Sequence, residues 1–247
     1  AAPAVDSIYV RSATLAPVGI RATTSAGATT SLRVSADSLT WTAGSPVRIR
    51  VEPLDAQGNL VLGDAATVIL RSVSGVVFAL VSGPLVAGSF ESFATASVVG
   101  SIASIGADRS GSPGVGGSTG PVSVRPAPPA GTIPVLANRT TLTADGRSLA
   151  TVTFGPVLDA YANVVAPGTA LAASVSAGTL AGGSLTTDVA GMASTVLIAP
   201  NAPGAGTLSV VSVLGGASGS LGFTYVAPPA LTAMAATLAP VIVTPGG

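Results

Sequence analysis

The residues able to do chemistry in this chain are few and of a narrow kind. Negative charge comes from aspartate and glutamate, ten in all, and the ten positive charges are all arginine. An activated serine needs a base that titrates near neutrality, and the chain has no His, Cys or Lys to supply one. A carboxylate pair could in principle hydrolyse a glycosidic bond. Glu52 and Asp55 are close in sequence and Glu91 follows, but the second of two internal copies carries Pro156 where the first has Glu52, and it has no Glu at all. The aspartates (Asp6, Asp37, Asp55, Asp64, Asp108, Asp145, Asp159 and Asp188) stand apart, with Gly or Asn near most of them. That is the chemistry of turns, whereas calcium needs converging oxygens; a calcium ion between domains would require Asp37 or Asp145 to meet another loop carboxylate. Residues 106–120 are Gly-rich but lack the Gly-Lys-Ser/Thr ending of a phosphate loop and any following helical pattern, so they read as a long flexible hairpin loop. The expectation is no enzyme, no cofactor and no metal site.

The composition narrows the partners. Hydrophobic residues make up 48% and charged residues 8%, against about 25% charged in an average soluble protein. Net charge is zero and the arginines are scattered, which argues against a nucleic-acid partner. The uncharged stretch 227–243 is interrupted by Pro228, Pro229 and Pro240 and falls short of the ~20 apolar residues of a spanning helix. No charge follows Asp188; this reads either as compositional bias or as a surface buried against other subunits. The start, Ala1-Ala2-Pro3, lacks a Met and a leader and reads as a mature end left by signal removal, in preference to an artificial boundary. Asn138-Arg139-Thr140 fits the N-glycosylation pattern, a match that would be read as meaningless if the chain were bacterial. Trp41, the single Trp, is expected to pack in a core or at a domain junction.

The elements that would position these residues are strands. Residues 47–51 alternate apolar and Arg, and residues 150–154 alternate apolar and Thr, the period of a half-buried strand. Residues 65–71, 171–176 and 207–213 also read as strands, with Gly, Pro, Asn and Asp between them. No long segment has a helical period, and residues 231–238 offer one or two turns at most. Leu54-Asp55-Ala56-Gln57-Gly58-Asn59-Leu60-Val61 is echoed by Leu158-Asp159-Ala160-Tyr161-Ala162-Asn163-Val164-Val165. Other pairs follow in step, including residues 86–90 with 189–193 and 100–105 with 206–211. Two copies of one β module are therefore expected. Each Asp is expected to bond a backbone amide two residues on, with Gly58-Asn59 tolerating positive φ.

The residues 142–146, 158–165, 177–180 and 187–193, with looser matches at 42–47 and 55–59, resemble the bacterial immunoglobulin-like domains of invasin- and intimin-type adhesins. Ala162 departs from the Gly that the family usually has before Asn. The resemblance implies an all-β chain of two tandem immunoglobulin-like sandwiches with strand-bearing arms. The expected division is an N-terminal arm 1–34, domain 1 at 35–126, domain 2 at 127–227 and a C-terminal arm 228–247. The arms share Ala-Thr-Leu-Ala-Pro-Val at 13–18 and 236–241, a match that chance could produce in so biased a composition.

Three functions follow as expectations. The first is an extracellular structural subunit that self-associates or joins other surface proteins, an arm adding a strand to a neighbour's sheet edge; Ser7, Ile8, Tyr9 and Val10, and Val241, Ile242 and Val243, are the candidate assembly strands. The second is a stalk or binding segment of a surface adhesin with a glycan or protein ligand. The third is a non-catalytic module of an exported enzyme.

Overall fold

The computed structural model describes residues 5–10, 18–23, 25–71 and 74–230. Among them every regular element is a strand, and no helix is long and apolar enough to cross a membrane. Ahead of the sandwiches, β1 (Val5–Val10) and β2 (Val18–Thr23) form an antiparallel pair.

The first sandwich holds β3 (Ser31–Ala36), β4 (Thr40–Thr42), β5 (Val47–Leu54), β6 (Thr67–Arg71), β7 (Val76–Phe78), β8 (Ser82–Pro84), β9 (Phe90–Ala96), β10 (Gly100–Ile102), β11 (Gly106–Arg109), β12 (Gly116–Ser118) and β13 (Val122–Arg125). One layer runs β3-β5-β9-β7; the other is made of β10-β13-β4 and β12-β11-β6-β8. The second sandwich holds β14 (Val135–Ala137), β15 (Thr141–Thr143), β16 (Leu149–Phe154), β17 (Ala170–Val175), β18 (Thr179–Leu180), β19 (Ser184–Thr186), β20 (Ala193–Ile198), β21 (Gly204–Ser212) and β22 (Ser218–Val226). Its layers run β14-β16-β20-β18 and β15-β22-β21-β17-β19, the same plan.

Alternation decides what each strand buries. In β5, Ile49 and Val51 are fully buried while Arg48 and Arg50 face water; in β16, Ala150, Val152 and Phe154 are fully buried between exposed or half-buried Thr and Leu. Each sandwich closes its own core: one holds Trp41, Ile49, Val51, Val68 and Ile105, the other Phe154, Leu171, Leu197 and Leu208. Trp41 is 1% exposed, and its indole N–H donates to the Ser38 carbonyl at 2.8 Å, so it serves the core of the first sandwich.

Two expectations need correction. The strand containing Ser31–Ala36 straddles the expected boundary between residues 34 and 35. It pairs with β5 along its whole length and buries Leu32 and Val34, so it belongs to the sandwich and not to an arm. Within the Gly-rich stretch 106–120, β11 pairs antiparallel with β12, and the loop between them is only residues 110–115. Two glycines of this stretch serve close approach: a Cβ on Gly117 would lie 1.8 Å from the Leu32 carbonyl oxygen, and one on Gly116 would lie 2.8 Å from the Ala107 carbonyl oxygen. The departure of Ala162 from the Gly of the resembled family leaves the turn of copy two the same as that of copy one. Ala162 adopts φ 62° where Gly58 adopts φ 79°. Where the second sandwich has one long β21, the first has β10 and β11. There Thr119 bonds Ile105 through both backbone and hydroxyl, and Pro121, lacking an N–H, cannot extend the ladder.

Candidate functional site

The echoed motif builds the same five-residue turn twice. Asp55 Oδ1 accepts the amides of Gln57 at 2.9 Å and Asn59 at 2.8 Å; Asp159 Oδ1 accepts those of Tyr161 at 2.8 Å and Asn163 at 2.9 Å. The backbone closes each turn from Asp55 N–H to the Asn59 carbonyl and from Asp159 N–H to the Asn163 carbonyl, both at 2.9 Å. The expected bond two residues on is present, and a second bond at four residues on accompanies it. The same turn recurs at Asp188, which accepts from Ala190 and Met192.

The other carboxylate oxygen reaches outward. Asp55 Oδ2 accepts the Gly27 amide at 3.0 Å, and Asp159 Oδ2 accepts the Ala127 amide at 2.9 Å. Each Asp thus ties down the chain as it enters its sandwich. These donors favour the charged form. The Gly27 amide foremost, with the Asn59 side chain and the Asn59 and Gln57 amides, holds Asp55 at about 2 against burial. For Asp159, burial pushes upward, but the Asn163 side chain and the amides of Ala127, Asn163 and Tyr161 together bring it below the ordinary value.

From this turn the second sandwich grips the first. Asn163 Nδ2 donates to the Ser97 carbonyl at 2.8 Å, and Asn163 Oδ1 accepts the Val99 amide at 3.1 Å. One carboxamide therefore spans a carbonyl and an N–H two residues apart, as a neighbouring strand would. Asp159 holds the same Nδ2 at 2.9 Å, fixing the orientation of the Asn163 side chain. Beside it Tyr161 lies against Gly44: a Cβ built there would sit 1.8 Å from the phenol oxygen, and Gly44 has φ 76°. Ser97, Val98 and Val99 follow β9, and Gly44 follows β4, so the contact is made by the far tip of the first sandwich.

The opposite tip of the first sandwich is tied by a second carboxylate. Asp64 accepts from Arg109 Nε at 2.9 Å and Nη2 at 3.1 Å, from the Thr29 hydroxyl at 2.6 Å and from the Ala66 amide at 2.9 Å. Arg109, then burial acting against it, then Thr29 and Ala66 leave Asp64 at about 2. On the outer face of β3, β5 and β9, charges pair with one another: Glu52 bonds Arg33 at 2.8 Å and lies 3.2 Å from Arg50, and Arg50 lies 3.8 Å from Glu91. Among the described residues no group of three acids, histidines or cysteines is placed to hold a metal ion.

Of the expected assembly strands, Ser7, Ile8, Tyr9 and Val10 lie in β1, opposite Arg21, Ile20, Gly19 and Val18 of β2. One edge of that strand is occupied by its own hairpin. Val241, Ile242 and Val243 lie outside the described residues. Sequence reasoning found the Asp turn and read it as a strand connector; it missed Asn163, Tyr161 and Gly44 as a joint. The available signal was Tyr161, an aromatic residue on a turn where copy one has Gln57.

The chain matches no protein-family model and none of the curated proteins. Among solved structures it is similar to the Escherichia coli adhesin FdeC, with 19% identity over 84% of this chain and 68% of that one, at a TM-score of 0.61. It also aligns with the D00-D0 domain of intimin (15% identity, 78% of this chain and 98% of that one, TM-score 0.44). A third match is the Yersinia pseudotuberculosis adhesin InvE (19%, 78% and 58%, TM-score 0.36). The FdeC likeness carries the fold: the chain is two tandem sandwiches of the immunoglobulin-like kind found in bacterial adhesins.

Proposed function

We propose that this chain is a non-catalytic spacer segment of a bacterial surface adhesin, carrying a binding region away from the cell. The observation that carries the reading is the clamped joint. Asn163 bonds both Ser97 and Val99, and Tyr161 covers Gly44, so two sandwiches with separate cores are tied to each other at one tip. A spacer needs that property; a catalytic module does not. The FdeC-like fold supports the adhesin class and a surface location. The ligand of such a protein would be another surface or host protein or a glycan.

The test is the distance between spin labels on the two sandwiches, at Val77→Cys and Leu136→Cys. The chain has no native cysteine, and these sites are 72% and 65% exposed. A single narrow distance that broadens in Asn163→Ala supports a rigid spacer. A broad distance in the unsubstituted pair overturns it.

A second reading rests on β1: in its two-stranded sheet one edge is unpaired among the described residues. In it, the chain is a filament subunit joined by strand addition through Ser7–Val10. Light scattering and electron microscopy of the full chain and of a chain lacking residues 1–24 test it. Assembly that is unchanged by the deletion rejects it.

A further inference from the structure

We infer that the Asp55 turn is a second joint of the same construction as the Asp159 turn, and that its partner is the tip of another immunoglobulin-like module lying immediately ahead of residue 25. Between the two sandwiches the joint is complete. There, the Asp159 turn does three things at once: it captures the amide of the chain entering its sandwich, it orients the Asn at its fourth following position, and that Asn bonds the tip of the preceding module.

The Asp55 turn repeats the first two steps atom for atom. It captures the entering chain at Gly27, and Asn59 Nδ2 donates to Asp55 Oδ2 at 3.1 Å, as Asn163 does to Asp159. Gly58, with φ 79°, holds the backbone in the conformation Ala162 adopts. The third step is missing. Gln57, Gly58 and Asn59 are all exposed, and among the described residues Asn59 Oδ1 has no donor and the Gln57 side chain has no partner. Asp55 thus holds Asn59 in the orientation that Asp159 gives Asn163, with its outer oxygen open to a donor.

The direction of approach follows from the captured amide. Ala127 comes two residues after β13, the second strand of an antiparallel pair with β10. Gly27 comes four residues after β2, the second strand of the antiparallel pair with β1. In both places the chain leaves a strand pair and is seized by the next turn. The partner is therefore a module that presents, in a loop at the tip from which its chain leaves, a carbonyl and an N–H two residues apart, as Ser97 and Val99 do between β9 and β10, and a glycine small enough to accept the residue at the Gln57 position. On this assignment β1 and β2 close the preceding module and are not a free arm. The inference stands on the joint and not on the spacer role, so each can fail without the other.

Two experiments test it on the full chain. In the first, Tyr161→Gln and Ala162→Gly convert the Asp159 turn into the Asp55 sequence, with spin labels at Val77→Cys and Leu136→Cys. The expected result is the same narrow distance as in the parent; broadening to the width seen in Asn163→Ala would mean the Asp55 sequence cannot make the joint, and the inference falls. In the second, a copy of residues 27–126 is inserted between Pro126 and Ala127, so that the copied Asp55 turn meets the tip of the original first sandwich. Labels at Val77→Cys of both copies should report one narrow distance that is lost with Asn59→Ala in the inserted copy. A broad distance with Asn59 intact overturns the proposal.

Discussion

Asn163 accepts the amide of Val99 at 3.1 Å across 64 residues of sequence, and that bond joins two sandwiches whose cores share no residue. Removing it isolates the value of the joint. Asn163→Ala deletes the bonds to Ser97 and Val99, each worth about 0.5–1.5 kcal/mol, as well as the bond to Asp159. Asn59→Ala deletes only the matching bond to Asp55. In chemical denaturation Asn163→Ala is therefore expected to cost about 1–3 kcal/mol more than Asn59→Ala. Equal losses would show that the joint contributes nothing to stability.

Gly44 and Tyr161 should show strong coupling. Gly44→Ala places a methyl 1.8 Å from the Tyr161 oxygen and forces Ala to φ 76°. The left-handed conformation alone costs about 1–2 kcal/mol, and the clash adds to it. Tyr161→Ala removes the clash and leaves the backbone strain. A double-mutant cycle measured by thermal unfolding is expected to be non-additive, with Gly44→Ala milder in the Tyr161→Ala background. Strict additivity would place Tyr161 away from Gly44.

Ala162 and Ala87 are the described non-glycine residues at positive φ, 62° and 50°. Ala162→Gly and Ala87→Gly relieve left-handed strain at the expense of a more flexible unfolded chain, and the strain is the larger effect. Each is expected to stabilise by about 0.5–1 kcal/mol, read from the denaturation midpoint at constant slope. A loss of stability in either would mean that the methyl group makes packing contacts worth more than the strain.

Acid should loosen the tip of the first sandwich that faces upstream. Asp55 and Asp64 are lowered from 3.8 to about 2 in the folded chain. A lowered folded pKa contributes stability that is fully present above the unfolded value and is lost as pH falls through the folded value. Stability is thus expected to hold above about pH 5 and to decline from about pH 4 to pH 2. Asp64→Asn, which weakens the Arg109 pair, should be less stable at neutral pH and show a shallower decline. A decline as steep as the parent's would assign the acid sensitivity elsewhere.

Much of the fold was legible because its determinants are local. The alternation of Ile49 and Val51 with Arg48 and Arg50, and of Val152 and Phe154 with Thr151 and Thr153, specifies a strand with one buried face whatever lies around it. The Asp turn was legible for the same reason: its bonds to Gln57 and Tyr161 close within the motif. Less legible was the place of Ser31–Ala36, since its alternation names a strand but not the partner strand it needs in β5. The hairpin within residues 106–120 was legible but its short loop was not, because Gly117 in β12 answers to the Leu32 carbonyl, far away in sequence.

By itself the sequence determined that this chain is built of strands in two related copies, that an Asp opens the key turn of each, and that it has no His, Cys or Lys. Only the tertiary structure decided that Asp55 and Asp159 seize the incoming chain at Gly27 and Ala127, and that Asn163 and Tyr161 close on Ser97, Val99 and Gly44. The physical reason is one of range. Backbone preference and turn bonding act over a few residues and are written into composition and spacing. A hydrogen bond of about 3 Å between two modules depends on where two complete cores place their loops, and that is settled only when both have packed.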